Sequence, residues 1–162
     1  MNLTAKSALL TVATCLLVIA GCTKPEDESS DGSKEIVIGL VAKSQTNDVF
    51  QAAYAGAKDA ARELGAKYDV DVTIDWRTPV SEDATQQVRA IEALTRAGVD
   101  AIAVSCSDAQ TLTPAINHAV EKGVLVITFD SDAPESKRLC YYGIDDRRCG
   151  ARVISELAKV ME

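Results

Sequence analysis

The sequence predicts an α/β fold: a doubly wound parallel sheet with helices on both faces, in strand order 2-1-3-4-5. Two observations carry this. Short apolar, β-rich runs alternate with four amphipathic helix patterns, an order that argues for parallel strands joined by helical crossovers. Three of those helix patterns stop at a glycine just before the next strand, at Gly65, Gly98 and Gly123, where a left-handed residue closes a helix at little cost. Right-handed crossovers then leave few topologies, and 2-1-3-4-5 is the one expected.

The organising unit is Lys34–Gly65. A strand over Ile36–Val41 leads through a polar loop, Lys43–Asp48, into an Ala-rich helix with Val49, Ala53, Ala57, Ala60 and Leu64 on one stripe. A strand over Val70–Trp76 follows, its alternation suited to a position near a sheet edge. Ser81–Ala97 reads as a helix with Ala84, Val88, Ile91 and Leu94 on its stripe, and Val99–Ser105 as a buried strand. The third helix begins around Thr111–Pro114, with proline in its first turn, and carries Leu112, Ile116, Ala119 and Val120. Val124–Phe129 is almost wholly apolar, as a strand covered on both faces should be. Tyr141–Ile144 makes a short fifth strand. Asp146 then caps a last helix, its stripe formed by Gly150, Val153, Ile154, Leu157 and Met161.

The folded part, 35–162, is preceded by two segments of other character. Residues 1–21 read as a signal peptide: Lys6 is the only charge before an apolar run from Ala8 to Ala20. Leu17-Val18-Ile19-Ala20-Gly21-Cys22 resembles the lipobox of bacterial lipoproteins, which implies cleavage before Cys22 and lipidation on it, with an ordinary cleaved signal as the alternative. Residues 22–34 then form a tether, since Thr23–Lys34 holds four acids, two lysines and three serines and cannot bury enough surface to offset its ordering entropy. Without Lys6 the chain keeps 16 of its 17 Lys+Arg against 24 Asp+Glu, a net charge of −8. That balance argues against a nucleic-acid partner.

Ligands of such sheets bind beyond the carboxyl ends of the strands. Those ends carry Lys43, Ser44 and Asn47; Asp75, Trp76 and Arg77; Ser105, Cys106, Ser107 and Asp108; Asp130, Ser131 and Asp132; and Asp145 and Asp146. Asp48, Asp108 and Asp146 also suit helix N-caps, whereas no helix begins after Asp130 and Asp132. Phe50 and Trp76 either face a ligand or pack beneath loops. His118, the chain's single histidine, lies off its helix's apolar stripe, so no Ser–His or Cys–His pair exists for nucleophilic catalysis.

Four segments in order, IGLVAKSQTNDVFQAAYAGAKDAA, DATQQVRAIEALTRAGVDAIAVS, PAINHAVEKGVLVITFDSDAP and YYGIDDRRCGA, resemble the sugar-binding periplasmic proteins of ribose-binding type. These are substrate receptors of ABC importers. The resemblance implies an extracytoplasmic, lipid-anchored receptor that binds a sugar or related polyol and delivers it to an ABC permease. It implies no catalysis, cofactor or metal. By position it nominates Ser44, Asn47, Phe50, Asp130 and Asp146 as ligand contacts, with Asp130 gripping vicinal hydroxyls. Ser131 stands where ribose binders have Arg, Val49 replaces one of two adjacent aromatics, and Lys43 adds a cation, which leaves the identity of the sugar open. Proteins of this type have two lobes that close on the ligand. The chain supplies one, and its last helix reaches Glu162 with no glycine and strand after it, so a lone N-terminal lobe, a fragment of a longer protein, is the expectation.

Two other readings stay open. A sensor lipoprotein would present the same lobe to a chemoreceptor or histidine kinase. Asp130-Ser131-Asp132 also resembles the Asp-x-Asp of Mg²⁺-dependent phosphatases, although that motif belongs on a first strand. Of the cysteines, Cys106, Cys140 and Cys149 remain once the signal and Cys22 are set aside, and the expected geometry pairs none of them.

Overall fold

The computed structural model describes residues 34–161. The signal peptide, Cys22 and all of the tether except Lys34 lie outside them. In chain order the elements are β1 (Lys34–Val41), α1 (Asp48–Tyr68), β2 (Val70–Trp76), α2 (Ala84–Ala97), β3 (Ala101–Val104), α3 (Ala109–Glu121), β4 (Leu125–Phe129), β5 (Cys140–Tyr142) and α4 (Asp146–Met161). The strands form one sheet in the order β2-β1-β3-β4-β5, all pairs parallel. Register runs Ile38↔Ala101, Ala101↔Leu125 and Ile127↔Cys140, so all five carboxyl ends meet along one edge. No described helix is long and apolar enough to cross a membrane.

The two faces are covered unequally. On one, α2 and α3 bury Ile91, Leu94, Leu112, Ile116 and Ala119 against Val41, Ile102, Val104 and Val126. These are the expected stripes of both helices. On the other face α1 covers β1 and β2, and Ile36, Ile38 and Leu40 look onto Ala57, Ala60 and Leu64 across an apolar groove of ≈ 450 Å³. Beyond it the face lies open, with Leu125 60% exposed. β4 is therefore buried on one face and only partly covered on the other, where Leu125 is open while Ile127 and Phe129 are half-buried, less than the expectation from its apolar run. The stripe of α4 is open too: the helix buries no residue, and Leu157, its most covered large apolar side chain, is 54% exposed.

Several local expectations are corrected. The buried line of α1 is Phe50, Ala61 and Gly65, with Val49 and Leu64 outside it: Val49 is exposed, and Leu64 borders the open groove rather than closing it. Gly65 does not end α1; the helix runs on to Tyr68 and is closed by Asp69 in the left-handed region, its φ 55°. Gly65 serves close approach instead, since a Cβ there would stand 2.8 Å from the Val70 carbonyl oxygen. Gly98 does close α2, at φ 73°. Helices α2 and α3 begin at caps Asp83 and Asp108, which puts Pro114 in the second turn of α3 rather than its first. At α4 the cap is Asp145, whose Oδ1 accepts the Arg148 N–H at 3.0 Å; Asp146 is the first helical residue. Cys106, Cys140 and Cys149 are all free.

Candidate functional site

The carboxyl edge is assembled by backbone ties between loops. The loop after β1 is stitched to the segment after β2: the Ala42 N–H donates to Thr78 Oγ1 at 2.8 Å, the Gln45 N–H to Pro79 O at 2.8 Å, and Gln45 Nε2 to Thr78 O at 2.7 Å. Ser44 belongs to this seam. Its hydroxyl donates to Val80 O at 3.0 Å and lies 2.9 Å from Thr46 Oγ1, so its oxygen is engaged inside the loop. Asn47 caps α1, with Oδ1 accepting the Val49 N–H at 2.9 Å. Its exposed amide nitrogen is spare.

A second tie went unread in the sequence. Gln87 is fully buried on α2. Its Nε2 donates to Ala42 O at 2.9 Å and Ser105 O at 2.8 Å, and its Oε1 accepts the Ser107 N–H at 2.9 Å. One side chain thus sets the spacing between the loops leaving β1 and β3. The available signal was a glutamine at stripe spacing between Ala84 and Ile91.

Asp130 is the centre of the edge. It is one of two described non-glycine residues at positive φ, at 59°. Ser105 Oγ donates to its Oδ2 at 2.8 Å, Lys43 Nζ stands 3.5 Å from the same oxygen, and Ser131 Oγ lies at 3.4 Å. Oδ1 takes none of these contacts, and the side chain is 42% exposed. The arrangement holds a carboxylate still while leaving one oxygen for hydroxyl donors. Phe50 sits close in the fold, only 4% exposed, its ring edge-to-face with that of Phe129 at 6.5 Å between centroids. Asp146 is exposed at the start of α4. Desolvation first, then the charges of Asp146, Asp130 and Asp132, raise the Tyr141 phenol above its ordinary value. Trp76 packs edge-to-face on Tyr54, and its Nε1 is buried without a partner, as is Ser107 Oγ.

Asp132 does different work from Asp130. Arg138 grips it through two bonds, Nε to Oδ1 at 2.5 Å and Nη2 to Oδ2 at 2.6 Å, and Thr128 Oγ1 donates to Oδ1 at 2.6 Å. The guanidinium holds the Asp132 carboxyl below the usual range. Asp132 is thus engaged through both oxygens, whereas Asp130 is tied through one. Among the described residues no group of three or more His, Cys, Asp or Glu side chains is arranged to hold a metal ion. The buried thiol of Cys106 lies below, pushed up to about 12 by burial and then by the charge of Asp132.

Other hollows lack this convergence. One of ≈ 680 Å³ between α1 and β2 is lined by Lys58, Asp59, Arg62, Asp71 and small apolar residues. Asp59 and Arg62 pair with each other there, and no polar side chain is buried within it. The strand edge is the better candidate on chemical grounds.

Residues 38–162 match the sequence profile of the periplasmic binding protein domain. The D-ribose/D-allose-binding protein of Pseudomonas aeruginosa is 30% identical over 129 residues, covering 75% of this chain and 39% of that protein. Among solved structures, an ABC transporter solute-binding protein from Burkholderia graminis in complex with D-arabinose superposes with a TM-score of 0.70. It is 29% identical, over 80% of this chain and 42% of that one. The XylFII–LytSN complex matches with a TM-score of 0.68 and 28% identity, over 77% of this chain and 44% of that one. The chain spans 39% and 42% of the length of the two curated relatives it matches. With the parallel 2-1-3-4-5 sheet and the profile match over 38–162, the chain belongs to the periplasmic binding proteins, type I, of ribose-binding type.

Proposed function

We propose that this lobe supplies one wall of a sugar- or polyol-binding site in an extracytoplasmic substrate receptor of an ABC importer. One observation carries the reading: Asp130 stands at the carboxyl edge of the sheet, held through one oxygen by Ser105 and Lys43 and open at the other. A carboxylate accepts two hydrogen bonds from adjacent hydroxyls. Lys43 and Ser105 flank the same point as further polar contacts, Asn47 offers its spare amide from the α1 cap, and Phe50 with Phe129 lies near as apolar floor. The names of the relatives, binding proteins for ribose, allose and arabinose, support a neutral monosaccharide and a binding rather than catalytic role. Calorimetry against pentoses, hexoses and polyols tests this: a lone wall is expected to bind weakly, saturating with one of them at millimolar concentration at best, and micromolar or tighter binding by the monomer contradicts the reading that the lobe is only one wall.

Anchoring completes the proposal. Cys22 carries acyl chains and tethers the lobe to a bacterial membrane, several chains giving durable attachment where one would not. Mass spectrometry of the mature N-terminus decides it, and an unmodified terminus at another residue rules it out. Sensing is the second reading, favoured by the match to XylFII, which has been solved in complex with another protein, LytSN. A histidine kinase or chemoreceptor that binds the ligand-loaded lobe in a pull-down, where a permease does not, would select it.

A further inference from the structure

We propose that Tyr141 is a positioning residue for the site: its hydroxyl, lying over the bare backbone of Gly143, holds Asp130 in the strained turn that presents its carboxylate. The significance for sugar rests on the function proposed above; the clamp itself does not.

The turn is unusual. Across Asp130, at φ 59°, the Ser131 N–H donates to Phe129 O at 2.6 Å. A three-residue turn closed this way around a residue of positive φ is the rare, strained form, and such strain persists only where surrounding contacts over-determine it. Here contacts from three sides act on the backbone and the carboxylate. The Asp130 N–H donates to Tyr142 O at 3.2 Å, which continues the β4–β5 ladder. Ser105 and Lys43 hold the carboxylate from below. Contact from the third side fixes the peptide that follows the strained residue: Tyr141 Oη donates to Asp130 O at 2.9 Å, with Ile144 O a more distant acceptor at 3.5 Å. Desolvation and three nearby carboxylates raise the phenol's pKa, so it remains a donor at neutral pH.

Gly143 is what lets the phenol reach. A Cβ at that position would lie 2.0 Å from Tyr141 Oη and 2.2 Å from Cζ, closer than real atoms approach. The ring thus occupies the space where any other residue at 143 would place its side chain. Two independent features, a glycine required by contact and a non-glycine at positive φ, are joined by one hydrogen bond.

The test is Tyr141→Phe, read by backbone carbon chemical shifts at residue 130 and by amide titration with D-ribose and D-arabinose. Loss of the left-handed signature at residue 130 is expected, with affinity falling about five-fold, the size of one ordinary hydrogen bond. In an Asp130→Ala background the same change should move affinity less than about two-fold. Gly143→Ala should reproduce the loss in the parent, yet be silent beside Tyr141→Ala, which vacates the space. An unchanged backbone at residue 130, or an equal affinity loss in both backgrounds, overturns the clamp. If neither sugar binds the parent, the sugar reading fails while the shifts at residue 130 still judge the clamp. Should Tyr141→Phe unfold, combining it with Asp130→Gly, whose backbone accepts the turn without help, is expected to restore folding; failure to do so overturns the proposal.

Discussion

Gln87→Met is the substitution that most sharply tests how the site is held. Methionine fills a similar volume and keeps the helix, so what changes is polar. The Ala42 and Ser105 carbonyls lose their donor, and the Ser107 N–H loses its acceptor. Each such group left unpaired in a buried place costs about 1–3 kcal/mol, the carbonyls at the lower end because an under-satisfied carbonyl is better tolerated. Taken together the loss should be about 3 kcal/mol, a large share of the roughly 5–15 kcal/mol that stabilises a typical domain. Urea denaturation followed by circular dichroism reads it directly. With a slope of about 1–3 kcal/mol per molar, the midpoint should fall by about 1–3 M with the slope unchanged. Sugar affinity should fall as well, because Ser105, which holds Asp130, shifts with its backbone. A stability within about 0.5 kcal/mol of the parent's would refute the view that Gln87 joins the β1 and β3 loops.

Three further outcomes are expected. The Asp132 carboxyl is held below its ordinary value mainly by Arg138, so its contribution to stability is full above about pH 3.9 and is lost as pH falls through the lower folded value. Asp132→Asn should therefore flatten the acid limb of the stability profile below about pH 4, and an unchanged limb counts against the tie. A brief iodoacetamide pulse at pH 8, read by mass spectrometry, should label the exposed Cys140 and Cys149 and spare Cys106, whose thiol is buried and pushed up to about 12; labelling of all three at one rate would contradict the packing under the site. Gly65→Ala should destabilise by about 1–3 kcal/mol, since its Cβ meets the Val70 carbonyl oxygen, whereas Gly56→Ala, with nothing within 4 Å, should stabilise by about 0.5–1 kcal/mol. Thermal melts of the pair in which both move the same way would show that the α1–β2 approach is looser than described.

The fold was legible because its signals are local and repeat. Apolar strands, helix stripes and glycine stops each report on a few neighbouring residues, and the crossover rule converts their order into a topology. What failed was whatever depends on a partner across space. The run Val124–Phe129 cannot say whether one face or both are covered, and the stripe of α4 cannot say what lies opposite. Gly65 looked like a stop because glycine at a helix end and glycine under a crossing strand read alike in sequence. Asp145 and Asp146 compete for one cap, and the chain settled on the first.

The site was legible only in part for the same reason. Asp130 stood out because no helix follows it to claim a cap, and the structure sets it beside Ser105 and Lys43 at the sheet edge. Its neighbour Asp132 has the same local context, and only the fold shows Arg138 closing on it. Ser44 is drawn into the loop seam by Val80, 36 residues away, a pairing no local pattern announces. Gln87 and Tyr141 make their bonds to backbone groups distant in sequence, which leave almost no mark on composition or spacing.

Whether Asp130 grips a sugar is decided by a residue-resolved amide titration of the chain with D-ribose and D-arabinose, run beside Asp130→Ala. Saturable shifts gathered at Lys43, Asn47, Ser105 and Asp130 are expected. Asp130→Ala should weaken binding by about 1.5–3 kcal/mol, the size of a hydrogen bond to a charged group. Shifts gathered instead around Lys58, Asp59 and Arg62 in the hollow between α1 and β2, or an Asp130→Ala variant that binds like the parent, would contradict that grip.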